Sequence, residues 1–163
     1  MSSSLDNSIE APRERAQVAL FILRLGLGAL FVWVFFENLG KGLYSPSGYS
    51  GLINHYIEKG HAPQLLKSIM AVMANNASVA GPMQGFTEIT FGVFLLIGFL
   101  TRPVALAAFF FLSTLWIAEW STAWIWELLM PMIVALVLMI GAAGRKWGID
   151  ELLARRYPRS FLW

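Results

Sequence analysis

Residues Val18–Phe36 read VALFILRLGLGALFVWVFF, with Arg24 as the one charged side chain. A helix rises about 1.5 Å per residue, so roughly 20 apolar residues cross the hydrocarbon of a bilayer. With its flanks, the run predicts a membrane span over about 16–39. Three further apolar stretches lie at about 83–100, 103–120 and 123–143. Only Thr101, Arg102 and Pro103 stand between the second and third, which predicts a tight helical hairpin. Pro103 suits the first turn of a helix, where its missing N–H costs nothing. The third and fourth stretches are joined almost as tightly, near Ser121 and Thr122.

Composition agrees with lipid as the solvent. The chain has 163 residues, of which 57% are hydrophobic and only 13% charged. Soluble domains carry about 25% charged residues, and one this small could not bury so much apolar surface. The fold class expected is therefore all-α: a membrane four-helix bundle. A formal net charge of +2 gives no reason to expect nucleic acid. Cysteine is absent, which excludes disulfides, Cys-ligated iron–sulfur clusters and c-type haem attachment. Residues 1–15 read as a polar tail, too polar for a signal-peptide core, and 144–163 as a basic tail.

The stretch 40–82 is too polar to span. It opens on a turn cluster, Tyr44 to Gly48, and then places Leu65, Leu66, Ile69, Met70 and Met73 on one side of a helix. This predicts an amphipathic helical cap between spans one and two, at the outer end of the bundle. An ordered loop with a short helix over the bundle is the plainer alternative.

With four spans, the N-terminal tail, the 101–103 turn and the C-terminal segment share a side. That side holds Arg13, Arg15, Arg24, Arg102, Arg145, Lys146, Arg155, Arg156 and Arg159, against Lys41, Lys59 and Lys67 on the other. The bias predicts both termini in the cytoplasm of a bacterial or archaeal cell, with the chain integral to its cytoplasmic membrane.

The span-associated carboxylates fall toward the opposite, outer leaflet: Glu37, Glu88, Glu119 and Glu127. Carboxylates at membrane depth are costly and face a bundle interior or a polar cavity. Glu37 has a simple explanation as an i,i+4 partner of Lys41. Glu119 suits an interface, and Glu127 the first turns of a helix, where the dipole favours an acid. Glu88 is harder to explain away, because Phe86, Ile89 and Phe91 surround it and Gln84 shares its face. If these groups shared a cavity, desolvation and mutual repulsion would keep at least one protonated, as a proton relay or a quinone partner requires. Candidate quinone contacts are Gln84, Glu88, Trp116, Trp120 and Trp124, although the tryptophans also read as a headgroup belt. Arg24 is expected either to snorkel to the inner headgroups or to form a buried anchor. His55, Glu58 and His61 make a poor metal set, because Gly60 breaks the helical spacing; no metal is expected.

Three pieces of the chain together resemble the DoxX/DoxD-like membrane proteins. They are Arg24-Leu25-Gly26-Leu27-Gly28 followed by Phe31, Glu88 and Gly92 followed by LLIGFLTRP (Leu95 to Pro103), and Gly141 to Asp150, GAAGRKWGID. The resemblance implies a four-helix membrane protein linked to thiosulfate:quinone oxidoreductase subunits and other membrane oxidoreductase assemblies. It also carries over Arg24, Glu88, Arg102, Arg145 and Asp150, the basic ones and Asp150 as anchors to structure, lipid or partner. Where many members have a His-Gly pair and then a Lys, this chain has Val34, Phe35 and Asn38.

The function expected is a small membrane subunit of a quinone-linked oxidoreductase or respiratory-type complex. It would carry no cofactor of its own beyond a bound quinone, and its partners would be lipids and other membrane subunits. A non-enzymatic structural subunit and a small proton-coupled transporter component are the competing readings.

Overall fold

The computed structural model describes the backbone of residues 2–162 and the side chains of residues 13–162. Among the described residues the protein is all-helical. In chain order it has α1 (Ser2–Gly40), α2 (Pro46–Lys59), α3 (Gln64–Asn75), α4 (Ala77–Ile97), α5 (Thr101–Ala118) and α6 (Ile125–Gly141). A 3-10 turn (Ala143–Arg145) and α7 (Ile149–Arg156) complete it. Three of these helices, over Arg13–Gly40, Ala77–Ile97 and Thr101–Ala118, are long and apolar enough to cross a membrane. The fourth, α6, has 17 residues, somewhat short of the roughly 20 that a perpendicular crossing takes.

Several expected boundaries move. The first residues, expected as a tail, continue α1 without a break. The second span starts at Ala77 rather than near 83, so the cap ends at Asn76. Ala77, Ala80 and Gly81 are small and buried, which lets α4 run on beneath the cap where hydropathy alone ends it. The segment 144–163, also expected as a tail, is folded onto the bundle.

Helices α1 and α4 cross at glycines. A Cβ on Gly92 would stand 2.7 Å from Val32 Cγ2, and one on Gly28 3.0 Å from the Leu96 backbone nitrogen. Without a hydrophobic force between helices in lipid, such close packing is what holds them together. Gly26, two residues before Gly28, has nothing within 4 Å of its Cβ position and takes no part in this contact. The edge-on rings of Phe31, Phe91 and Phe111 tie α1, α4 and α5 around a core that includes Leu27, Leu95, Ala105, Ala108, Ala135 and Leu138. Trp33, Phe86, Phe110 and Ile140 point outward, as a lipid-facing surface requires.

The cap is a helical pair. Ser45 accepts from the Gly48 amide at 3.1 Å and Pro46 fills the first turn, which starts α2. Lys67 of α3 donates at 2.8 Å to each of the Ile57 and Gly60 carbonyls and so finishes α2. The apolar side of α3 is divided, not single. Met70 and Ala74 pack with Tyr49, Ile53 and Ala77, while Leu65, Ile69 and Val72 face away.

The opposite end is closed by two fully buried side chains, Arg24 and Asp150. Arg24 donates to the carbonyls of Ala143 (3.1 Å), Lys146 (3.4 Å) and Trp147 (3.0 Å). It does not snorkel to headgroups, because the C-terminal segment covers it. Asp150 accepts from the amides of Leu100 (2.7 Å) and Thr101 (2.8 Å), capping the start of α5 from α7. Its own amide donates to the Gly98 carbonyl at 2.9 Å. Gly98 takes φ +67°, and Leu100, Ala142 and Trp147 also have positive φ at 49–51°. Each of the three non-glycine residues costs roughly 1–2 kcal/mol, and they persist because these hydrogen bonds over-determine the backbone. Gly144 must lack a side chain, since its Cβ would fall 2.1 Å from Asp150 Oδ2.

Asp150→Ala would leave the buried Thr101 amide without an acceptor, at about 1–3 kcal/mol, and the half-buried Leu100 amide at a smaller cost. Thermal unfolding in detergent should show a large loss for Asp150→Ala and for Gly144→Ala. Asp150→Asn, which keeps one oxygen, should lose less. Gly26→Ala should be neutral or gain up to about 1 kcal/mol from helix propensity; a large loss there would contradict the packing described.

Candidate functional site

The four carboxylates expected toward the outer leaflet do not share one cavity. Glu37 is exposed and pairs with Lys41 at 2.7 Å, the local i,i+4 arrangement. Glu127 is exposed in the first turn of α6. Glu88 and Glu119 are each held in place by a tyrosine of the cap region, in two separate settings.

Glu88 is buried in α4, at 2% exposure. Its Oε2 accepts from the Tyr44 hydroxyl at 2.5 Å and the Asn38 amide at 3.3 Å, and its Oε1 from Gln84 at 2.8 Å. Gln84 and Glu88 are one turn apart and meet as their spacing predicts. Tyr44 arrives from the turn after α1, stacked on Phe35 with ring centroids 5.5 Å apart. It fits because Gly81 and Gly85 lie beneath it: a Cβ on Gly85 would come within 3.2 Å of the ring. Burial, and then Glu88 itself, push the Tyr44 hydroxyl well above the ordinary tyrosine range, so it stays a donor. Three donors on one buried carboxylate make a closed hydrogen-bond network. Tyr44 and Asn38 were not singled out from the sequence, because Asn38 reads as a helix end and Tyr44 as part of a turn.

Glu119 lies just past the end of α5 and is half-buried. It accepts from the Tyr56 hydroxyl of α2 at 3.1 Å. Burial and the nearby Glu119 raise the Tyr56 hydroxyl as well, so it too remains a donor. Beside Glu119 is a cavity of about 200 Å³ lined by Trp116, Trp120, Ser121, Ala123, Trp124, Ile125 and Leu128. Trp116 and Trp120 have ring centroids 5.0 Å apart. The link between α5 and α6 is pinned by the cap: the His61 amide donates to the Trp120 carbonyl at 3.0 Å, and its ring meets the Ser121 hydroxyl. Ser121 itself has φ +72°, the fourth non-glycine residue in the left-handed region. An aromatic wall, one acid and a conformationally costly link meet at this place, as strain often does at functional positions.

The candidate quinone contacts therefore separate. Trp116, Trp120 and Trp124 line the cavity with Glu119, whereas Gln84 and Glu88 belong to the closed network. The expected anchors lie at the other end. Arg24 and Asp150 form the closure described above. Arg102 donates to the Phe161 carbonyl at 3.2 Å and stacks on its ring, and Arg145 is exposed within the C-terminal segment.

The sequence model of the family described as "TQO small subunit DoxD" matches residues 19–161. No curated protein and no solved structure matches the chain.

Tyr44→Phe should destabilise the protein by about 1–3 kcal/mol, the cost of leaving a buried acceptor short of a donor. Thermal unfolding in detergent measures it. An unchanged midpoint would mean that the Tyr44–Glu88 contact does not hold the cap to α4.

Proposed function

This chain belongs to the DoxD family, and we propose that it binds quinone as the small membrane subunit of a thiosulfate:quinone-type oxidoreductase. In this reading the ring of the quinone occupies the cavity walled by Trp116, Trp120 and Trp124, and Glu119 serves its oxygens. The observation that carries the reading is the pairing of that aromatic cavity with a half-buried carboxylate held by Tyr56.

The size of the cavity supports a ring and not a whole lipid-tailed molecule. Sites for drug-sized ligands hold about 300–1,000 Å³, more than the 200 Å³ found. The head would sit among the tryptophans while the tail leaves past Trp124 and Ile125, both exposed toward lipid. Indole faces give stacking area at low entropic cost. Reduction of a quinone takes up two electrons and two protons. Glu119 in its protonated form can pass one of these protons to a quinone carbonyl oxygen, solvent supplies the other and reprotonates Glu119, and the Tyr56 hydroxyl holds the carboxyl group in place for the transfer.

Electrons have to come from elsewhere. The charged group lining the cavity is an acid, which repels an anionic reductant such as thiosulfate. On the same face, Lys41 is paired with Glu37, Lys67 is committed to backbone carbonyls, and Lys59 is exposed but does not line the cavity. The oxidation of the anion is therefore assigned to a partner subunit, and this chain to the quinone end. Both termini are proposed to lie in the cytoplasm, which puts the cavity toward the outer face. The closed Glu88 network favours a second, compatible role: a scaffold that keeps the cap on the bundle for the larger assembly.

Short-tailed quinone titrated into the purified chain should quench tryptophan fluorescence. Trp120→Ala should weaken binding roughly tenfold, about 1.4 kcal/mol, the scale of one stacked ring. In the assembled oxidoreductase, Glu119→Gln should slow quinone reduction by at least roughly 100-fold while quinone affinity changes little. Unchanged affinity in Trp120→Ala would remove the cavity as the site. Absence of quinone binding altogether, with stable assembly of the complex, would leave the scaffold role alone.

A further inference from the structure

The segment that covers Arg24 has a second side, and nothing in the proposed quinone chemistry uses it. Trp147, Leu152, Tyr157 and Phe161 are exposed at 58%, 65%, 53% and 77%. Bases are set among these rings and not apart from them. The Lys146 ammonium stands 5.0 Å from the Trp147 ring centroid, the Arg156 guanidinium 5.8 Å from Tyr157, and Arg102 5.0 Å from Phe161. Arg159 is exposed beside them. The acids of the segment are committed elsewhere: Asp150 is buried on the α5 amides, and Glu151 pairs with Arg155 at 2.7 Å. The outward surface is therefore basic and aromatic together.

Neither water nor hydrocarbon suits such a surface. Exposed rings are wasteful in water, and bases are costly in the bilayer interior. The headgroup layer suits both, with apolar bodies toward the acyl chains and cationic tips at the phosphates. The closure of the bundle fixes the level: Asp150 ties α7 to the turn between α4 and α5, at the ends of those spans. Ile22 of α1 and Ile140 of α6, exposed near the same end, continue the apolar surface into the lipid-facing sides of the bundle.

We propose that α7 and its flanks form an in-plane anchor that binds anionic phospholipid headgroups. Lys146, Arg156 and Arg159 meet the phosphates, and Trp147, Leu152 and Phe161 enter the acyl boundary. Charge decides the lipid: a zwitterionic headgroup gives these bases no net attraction, whereas anionic lipid gives about 1 kcal/mol per base near the surface. The anchor stands independently of the quinone cavity, which lies at the other end of the bundle.

The test uses the full-length chain in a mild detergent, with thermal unfolding as the readout. Added phosphatidylglycerol should raise the midpoint by at least about 3 °C, as binding to the folded state requires. Phosphatidylcholine and inorganic phosphate should not. The triple variant K146Q/R156Q/R159Q should lose at least half of that shift while keeping its midpoint in detergent alone. Arg159→Gln by itself should lose a smaller share, and serves if the triple variant does not fold. An equal shift with phosphatidylcholine, a shift with inorganic phosphate, or a full phosphatidylglycerol shift in the variants overturns the proposal. So does loss of an acidic protein partner from the triple variant with its lipid response intact.

Discussion

Arg24 and Asp150 are both removed from water, and each is compensated by backbone from a different part of the chain. The guanidinium gathers the carbonyls that end the α6 region, and the carboxylate supplies the acceptor for the amides that start α5. A helix end buried without partners is expensive, and here two are satisfied by single side chains supplied at long range. The left-handed backbone at Leu100, Ala142 and Trp147 is affordable only within that arrangement. Remove either side chain and the α4–α5 turn, the 3-10 turn and α7 lose their common reference. The rest of the bundle hangs from this corner, because lipid-facing helices have no hydrophobic force to hold them to one another.

The two ends of the protein are built to different purposes. One end is closed by long-range hydrogen bonds from Arg24 and Asp150, with glycines at 98, 144 and 148 where any side chain would collide. At the other, the cap reaches the bundle through two tyrosine–carboxylate contacts that differ in kind. Tyr44 holds Glu88 in a buried network shared with Asn38 and Gln84. Tyr56 holds Glu119 at the edge of an aromatic cavity. The same pair of residue types is thus structural in one place and open to a ligand in the other. The difference lies in the neighbours: Asn38 and Gln84 complete the first, while tryptophans and a short strained link leave space at the second.

Much of this is legible in the sequence. The four apolar runs, a tight hairpin between the second and third, and the polar region between the first two spans follow from length and hydropathy; the turn itself falls at Gly98–Leu100, and Thr101–Pro103 already belong to the first turn of α5. The pairing of Gln84 with Glu88 and of Glu37 with Lys41 follows from helical spacing. Helix α4 began earlier than hydropathy suggests because small residues bury beneath the cap whatever their polarity. The C-terminal segment looked like a basic tail because Arg145, Lys146 and the later arginines dominate its composition. Asp150, the residue that folds it, is one acid among them.

Hydropathy, span length and the order of three motifs are enough for an all-helical membrane protein and its family. Those follow from one-dimensional properties: the hydrocarbon thickness fixes the length of a span, and the cost of charge fixes what lies within it. Which carboxylate is sealed and which borders a cavity depended on tertiary structure. Helix rotation and the approach of the cap decide that, and both are set by packing at Gly28, Gly81, Gly85 and Gly92. The partners of Arg24 and Asp150 were hidden for the same reason: they are backbone groups distant in sequence, and backbone groups carry no sequence signature.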